Sequence, residues 1–318
     1  MNNRDIYLVV HKSSYCYITD TCAYIRATLA ELCAAPVKLV ITDRVDAVGY
    51  AAKSIVWIIG DPFPRYQRQA DCFYVFLNFS LLCNVTKRWW LGRSDRLWFE
   101  DKKRIFLQKL SNYDLVGDFY EPQSQMLKEE IESSRGIRVV PFLTNVQPSP
   151  DVQLATVEQC KWDVCIVGSI SPRRLRAYRR LEELGCQLSP VEGDLAHAIA
   201  NSKLTLNIHM HNCDHLEAPR IIQVLKMGRC LVTENCHHLD QMIPLSCYCM
   251  DRYANLVKRV SELLADPQRV AKIGDTAKLY METNYEKKCE ESWRQIVNYL
   301  PVLFPHQVPE ESDKQTRH

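Results

Sequence analysis

Residues 163–172 read Asp163-Val-Cys-Ile-Val-Gly168-Ser169-Ile-Ser171-Pro172, and this stretch decides the fold. Its first half is a short apolar run with a β-branched residue at three of six positions, which predicts a buried strand of a parallel sheet. Ser171 is placed to cap a helix, and Pro172 suits its first position, where the missing N–H has no cost. We predict a helix over residues 172–184, ended by Gly185.

The predicted helix is strongly basic, with arginines at positions 173, 174, 176, 179 and 180. Cations near a helix N-terminus are unfavourable unless an anion lies between them and the helix. Backbone N–H groups at a strand–turn–helix junction commonly bind phosphate, and guanidinium groups add paired donors. The pattern therefore favours a diphosphate site at Gly168, Ser169 and Arg173. The alternative is a solvated basic helix face.

A second strand–helix–strand unit follows in the chain. Residues 204–209 read as a strand, residues 219–227 as a helix that Gly228 ends, and residues 229–234 as the next strand. The carboxyl ends of such parallel strands lie at one edge of the sheet, which is where ligands bind in open α/β folds. We expect the ligand site of this half at that edge.

Three segments together resemble a known family. They are residues 162–169 with the Pro-Arg-Arg of residues 172–174, residues 201–209, and residues 218–228. They are similar to GT-B-fold glycosyltransferases related to spore-maturation and spore-coat (CgeB-like) proteins, close to the glycosyl transferases group 1 set. The resemblance spans roughly residues 55–298. It implies an α/β fold of two Rossmann-like doubly wound domains facing a cleft, with a nucleotide-diphosphate sugar held by the second domain.

We predict that the donor is bound by Gly168, Ser169, Arg173, His209, Glu217, Arg220 and Gln223. One position departs from the family, because relatives carry Glu where this chain has Gln223. A carboxylate offers two acceptor oxygens to the ribose hydroxyls, whereas an amide offers one oxygen and two donors. The strength and base preference of nucleotide binding therefore stay open.

Length and composition point to a soluble protein of two domains. The chain has 318 residues, 47% of them apolar and 25% charged, with a formal net charge of +2. This charge gives no overall attraction to nucleic acid or membranes, and no apolar run approaches the ~18 residues of a membrane span. The 14 cysteines include several inside apolar runs, so we expect a reducing, cytoplasmic location.

The first half alternates short apolar strands with helical segments, which predicts a doubly wound domain. We read residues 11–21 as a polar loop and residues 22–33 as the first helix. The predicted organisation is an acceptor-side domain over 1–147, a nucleotide-sugar-binding domain over 148–285, a helix over 286–304 that crosses back to the first domain, and a disordered tail over 305–318.

Residues 84–104 break this alternation, with seven basic and three acidic residues and half of the tryptophans. Such a mixture suits stacking on bases or sugars beside phosphate, or lying at a lipid surface, although the tryptophans of a core helix give the same pattern. We predict an acceptor patch that makes nucleic acid a partner worth testing, formed by Lys87, Arg88, Trp89, Trp90 and Arg93.

Two residues that follow first-domain strands are candidates for the general base of an inverting transfer. His11 follows the first strand and Asp61 a later one, so both strand ends face the predicted cleft. Their alternative role is that of ordinary loop residues.

The segment 209–215 alternates histidine and cysteine, which raises the question of a metal. Four alternating ligands on one strand do not wrap easily around a tetrahedral ion, and no Asp-x-Asp pair is present, so we predict no metal. We expect no cofactor, and a UDP-sugar is the first candidate for the co-substrate. The prediction is a glycosyltransferase acting on a hydroxyl of a surface glycan, a protein or a modified DNA base. Its rival, motivated by Gln223, is a catalytically silent binding protein for sugar nucleotide or glycan.

Overall fold

The computed structural model describes residues 4–60, 63, 66–79, 93–147, 151–190, 194–210 and 216–301. The first sheet is parallel and has the order β2-β1-β3-β4-β5-β6. Its strands are β1 (Ile6–His11), β2 (Val37–Thr42), β3 (Ile55–Ile59), β4 (Phe73–Asn78), β5 (Leu115–Asp118) and β6 (Arg138–Pro141).

The second sheet is also parallel and has the order β10-β9-β8-β7. Its strands are β7 (Trp162–Ile166), β8 (Ser202–Asn207), β9 (Cys230–Glu234) and β10 (Cys249–Asp251). The strands predicted over 163–168, 204–209 and 229–234 are thereby confirmed, with their ends shifted by one or two residues.

Helices cover both sheets. They are α1 (Lys12–Leu32), α2 (Arg93–Lys109), α3 (Glu121–Arg135), α4 (Pro172–Glu183), α5 (Leu195–Ala200), α6 (Ala218–Lys226), α7 (Leu239–Met242), α8 (Leu256–Leu264), α9 (Pro267–Tyr280) and α10 (Glu286–Val297). Helix layers on both faces explain why β3 and β9 are buried along their whole length and why β3 is an unbroken apolar run.

Helix α1 begins ten residues earlier than predicted. The segment read as a polar loop over 11–21 is helical from Lys12, because the imidazole of His11 accepts a hydrogen bond from the backbone N–H of Ser13 and caps the helix. The helix continues through a kink at Ile18, whose φ of −132° and ψ of 23° are not helical. The loop prediction is therefore wrong.

The last helix lies against the first sheet and the strand exit at β6. The indole N–H of Trp293 donates to the backbone carbonyl of Leu143 at 3.1 Å. The hydroxyl of Tyr285 donates to the backbone carbonyl of Thr144 at 2.9 Å. The ring of Trp293 also packs 6.1 Å from that of Trp57 on β3. These contacts join the two halves of the chain through buried side chains of α10 and of Tyr285 directly before it.

Within the described ranges, no helix has the length and apolar character needed to cross a membrane. The cysteines of that part of the chain are free, and most of them are buried. Burial raises the pKa of the Cys289 thiol to about 12, so this thiol stays protonated and packs as a small apolar group.

Candidate functional site

The turn after β7 is shaped by one glycine and one helix cap. Gly168 has a φ of +84°, a backbone conformation that favours glycine. The hydroxyl of Ser171 accepts a hydrogen bond from the backbone N–H of Arg174 at 3.3 Å, and Pro172 is the first helical residue of α4. The predicted cap and helix start are confirmed, and the turn opens at the carboxyl edge of the second sheet.

Arg174 is a buried arginine, only 1% exposed, that joins this turn to the end of β8. Its Nε donates to the carbonyl of Ile208 at 2.7 Å and its Nη1 to the carbonyl of Ser169 at 2.8 Å. Its Nη2 lies 3.5 Å from Oε2 of Glu217. Burial lowers the pKa of Arg174, and the carboxylate of Glu217 opposes that shift. The guanidinium therefore stays charged and fixes the shape of the turn.

Arg220, on the first turns of α6, brings a second guanidinium to the same place. Its Nη2 donates to Oε1 of Glu217 at 2.9 Å, while its buried Nη1 has no hydrogen-bond partner among the described residues. A Cβ atom added to Gly168 would lie 2.0 Å from Nη1 of Arg220 and 2.6 Å from Nη1 of Arg174. Two guanidinium tips thus meet at the glycine turn, and Nη1 of Arg220 and Nη2 of Arg174 both lack a hydrogen-bond partner among the described residues.

Glu217 and His209 contact each other and complete this cluster of charged side chains. Burial raises the pKa of Glu217, but Arg220, His209 and Arg174 outweigh it and lower the pKa to about 2. Burial disfavours the imidazolium of His209, whereas Cys236 and Glu217 favour it, and the net effect raises the pKa of His209. Its Nε2 lies 3.0 Å from the carbonyl of Asn235, and its Nδ1 lies 3.8 Å from Oε2 of Glu217. The cluster therefore carries more positive than negative charge.

The depressed pKa of Glu217 makes part of the stability dependent on pH. Its ionised form stabilises the fold fully above the unfolded pKa of 4.5, and that contribution is lost as pH falls towards about 2. The whole shift corresponds to about 3 kcal/mol. We expect Glu217→Gln to lower the free energy of unfolding at pH 7, and the deficit to shrink by about 2 kcal/mol by about pH 3. Urea unfolding over a pH series measures this, and a deficit independent of pH would contradict it.

Arg173, predicted to bind the diphosphate, has other partners in the structure. Both of its terminal nitrogens donate to the carboxylate of Glu234, and Nη1 also donates to the carbonyl of His209 at 3.2 Å. The guanidinium lies 4.1 Å from the ring centre of Tyr253. These contacts tie α4 to β8, β9 and the segment after β10. Arg173 therefore positions strand ends around the turn, one residue away from Arg174 at the turn itself.

Gln223 contacts the first half of the chain. Its Nε2 donates to Oδ2 of Asp20 on α1 at 3.0 Å. Gln223 lies one helical turn after Arg220 on α6, so the amide and the guanidinium are neighbours on the helix surface. Of the predicted donor-binding residues, Gly168, Ser169, His209, Glu217 and Arg220 come together at the turn, and Gln223 lies beside them facing α1.

The predicted first-domain residues are only partly described. Nδ1 of His11 caps α1, and its Nε2 lies 3.7 Å from Oδ1 of Asp43, which is the distance of an ion pair when the imidazole is protonated. Helix α2 begins at Arg93, whose side chain is not described. Other predicted residues lie outside the described residues: Asp61, Lys87, Arg88, Trp89, Trp90, His211, Cys213 and His215.

Among the residues that the structure describes, no group of three or more histidine, cysteine or acidic side chains is arranged to hold a metal ion. Three residues that contact the predicted site residues were not predicted from the sequence: Arg174, Glu234 and Asp20. For Arg174 a signal exists, since it shares the inward spacing of Tyr178 and Leu181 on α4. Glu234 and Asp20 carry no comparable local signal.

This chain is similar to known proteins in its fold. No protein-family model matches the chain, and no curated protein matches it. Sucrose-phosphate synthase from Thermosynechococcus elongatus aligns with a TM-score of 0.56 at 13% identity, over 93% of this chain and 100% of that one. Anabaena HepE, solved with UDP and glucose, aligns with a TM-score of 0.53 at 11% identity, over 92% and 100%.

TarM aligns with a TM-score of 0.53 at 10% identity, over 77% of this chain and 55% of that chain, so this chain spans about half the length of TarM. The fold is the two-domain GT-B fold of glycosyltransferases. The predicted fold class is thereby confirmed. At these identities the alignments establish the architecture, and the chemistry must be argued from the site.

Proposed function

We propose that this protein is a glycosyltransferase that moves a sugar from a nucleotide-diphosphate donor, most simply a UDP-sugar, to an acceptor hydroxyl. One observation carries the proposal: the guanidinium groups of Arg220 and Arg174 meet at the Gly168 turn, where Nη1 of Arg220 has a spare buried N–H. A spare donor beside a left-handed turn and a helix N-terminus is an arrangement suited to phosphate oxygens. HepE, which has the same fold, was solved with UDP and glucose.

Each part of the turn takes a distinct task in the proposed transfer. The bond between the sugar's anomeric carbon and the diphosphate oxygen breaks, and the acceptor oxygen forms the new bond to that carbon. Arg220 binds the negative charge that develops on the departing diphosphate, and the backbone at Gly168 and Ser169 supplies further donors. Arg174 positions Arg220 and the turn, and Glu217 orients Arg220. Arginine charge thus supplies the neutralisation, in keeping with transfer without a metal.

The acceptor side of the proposal rests on the first sheet. In an inverting transfer the acceptor hydroxyl loses its proton to a base, and His11, at the end of β1, and Asp61, which follows β3, are our proposed bases. The acceptor is a surface glycan, a protein or a modified DNA base. Binding of duplex DNA that weakens steeply with salt would select the last of these.

Three further assignments are part of this proposal. They are membership of the spore-maturation and spore-coat family, the domain limits 1–147 and 148–285, and the crossing segment 286–304. A cytoplasmic location accords with the free cysteines of the described part of the chain.

Donor turnover tests the function directly. Purified protein is incubated with a panel of UDP-sugars and GDP-sugars, and released nucleoside diphosphate is measured. We expect release with at least one donor, and a decrease of about a hundredfold or more in Arg220→Ala, since loss of one donor to developing charge has that effect. Arg180→Ala, which removes an exposed arginine in the last turn of α4, is the matched control. Equal release in wild type and Arg220→Ala would contradict the proposed role of Arg220.

The second candidate is a silent protein that binds sugar nucleotide or glycan without transfer. It is favoured by Gln223, whose amide nitrogen already donates a hydrogen bond to Asp20. The two candidates separate in the same experiment, because a silent protein binds UDP and releases none from any donor.

A further inference from the structure

We propose that a cavity at the edge of the first sheet binds a small phosphorylated monosaccharide, at a site separate from the Gly168 turn. The cavity lies between α3, the edge strand β6 and the end of α10, and its volume is about 310 Å³. All three elements contribute polar side chains to it, namely Lys128, Glu132, Arg138, Gln295, Asn298 and Tyr299. None of these residues belongs to the cluster at the Gly168 turn, so the inference does not depend on the proposed function.

The two cations of the cavity lack an anionic partner in the described part of the chain. Lys128 precedes Glu132 by one helical turn on α3, yet Oε1 of Glu132 accepts a hydrogen bond from the backbone N–H of Val139 at 2.9 Å. Neither Lys128 nor Arg138 forms an ion pair or a side-chain hydrogen bond with a described residue. Two unpaired cations beside one carboxylate leave the cavity positively charged, which favours an anionic ligand.

Arg138 is held in place by an aromatic ring. Its guanidinium lies 4.7 Å from the ring centre of Tyr299, which follows α10. Stacking of this kind fixes the guanidinium and leaves its N–H groups available for hydrogen bonds. An arginine held in this way presents paired donors to phosphate oxygens, and Lys128 adds a second positive charge. The charged part of the cavity therefore suits a phosphate group.

The remaining side chains suit a sugar ring beside the phosphate. Gln295 and Asn298 are three residues apart at the end of α10, so they are neighbours on the helix surface. Their side-chain amides, like Oε2 of Glu132, form no hydrogen bond with a described residue. Amides and carboxylates exchange hydrogen bonds with hydroxyl groups, and the volume lies at the lower limit of small-molecule sites, about 300–1,000 Å³. One sugar ring with one phosphate matches both the size and the groups.

The cavity lies where the last helix packs on the first sheet. The hydrogen bonds from Trp293 to Leu143 and from Tyr285 to Thr144 hold this packing without the cavity residues. Substitutions at exposed cavity residues should therefore leave the fold intact. A ligand that contacts α3, β6 and α10 together binds the folded state, so it should raise the melting temperature.

Calorimetric titration with glucose 6-phosphate, inorganic phosphate and glucose tests the inference. Wild type is compared with Arg220→Ala, because this variant lacks the charge proposed to bind a diphosphate at the other site. We expect both proteins to bind glucose 6-phosphate about tenfold or more tightly than inorganic phosphate or glucose, since only this ligand contacts both the cations and the amides. The melting temperature should rise with glucose 6-phosphate.

Two cavity variants and one control locate the binding. Lys128→Gln and Arg138→Gln should each weaken the binding of glucose 6-phosphate about tenfold or more, because each removes a charge-assisted hydrogen bond to the phosphate. Lys287→Gln, which removes an exposed lysine elsewhere on α10, is the matched control and should bind as wild type does. Melting temperatures without ligand show that the variants are folded.

Three results would overturn the inference. They are equal binding of inorganic phosphate and glucose 6-phosphate by wild type, no binding of glucose 6-phosphate, and unchanged binding in both cavity variants. Loss of binding in Arg220→Ala with unchanged binding in the cavity variants would place the sugar phosphate at the Gly168 turn instead. The proposed function is judged separately by donor turnover, so either can fail without the other.

Discussion

Replacing Gly168 by alanine is expected to lower the affinity for UDP by about a hundredfold or more. The new methyl group would lie 2.0 Å from Nη1 of Arg220 and 2.6 Å from Nη1 of Arg174, closer than any van der Waals contact. Both guanidinium groups would have to move from the turn, and each charge-assisted hydrogen bond to phosphate is worth about 1.5–3 kcal/mol. Calorimetric titration with UDP measures the change.

A second glycine provides the control for backbone strain. Gly185, at the end of α4, has a φ of +81°, close to the +84° of Gly168, and an added Cβ there meets no atom within 4 Å. Gly185→Ala should therefore cost stability comparable to that of Gly168→Ala through its backbone alone, yet leave UDP affinity at the wild-type level. Equal UDP affinity in the two variants would show that the turn does not contact the diphosphate.

Replacing Arg174 by alanine is expected to lower the free energy of unfolding by about 3–5 kcal/mol, the range for removing one partner of a buried ion pair. The change leaves the carbonyls of Ser169 and Ile208 without their donor and removes one of the cations beside Glu217. Arg174→Ala should also weaken UDP binding, because Arg220 then loses the neighbour that fixes the turn. Urea unfolding at pH 7 measures the stability change.

Arg180→Ala separates this effect from the general basicity of α4. Arg180 lies on the same helix and is exposed. Its removal should alter the free energy of unfolding by less than about 0.5 kcal/mol, as is usual for exposed positions. Similar losses in both variants would mean that the arginines act as one solvated face, which is the alternative that the sequence leaves open.

Local patterns predicted the strands and turns of the second sheet well. The apolar run before Gly168, the cap at Ser171 and the proline after it all act within a few residues, so their effect is visible in sequence. The order of strands follows from short parallel crossovers. Those rules were enough to place Gly168, His209, Glu217 and Arg220 at one edge.

Local sequence patterns did not show which of two neighbouring arginines, Arg173 or Arg174, lies at the Gly168 turn. Arg173 and Arg174 differ by about 100° around the helix axis, and their partners come from distant strand ends. The carboxylate of Glu234, which lies 61 residues further along the chain, accepts a hydrogen bond from Arg173, while the carbonyl of Ile208 accepts one from Arg174. The start of α1 was missed for a related reason, since a histidine caps the helix in place of the usual small polar residue. Side-chain partners far apart in sequence decided both outcomes.

Titration of the wild-type protein and Arg220→Ala with UDP, UMP and uridine tests whether Arg220 at the Gly168 turn binds a diphosphate. We expect the wild type to bind UDP more tightly than UMP and to bind uridine about a hundredfold or more less tightly than UDP, and we expect Arg220→Ala to lack most of this difference. Equal affinity of the wild type for UDP and uridine, or an unchanged difference in Arg220→Ala, would contradict it.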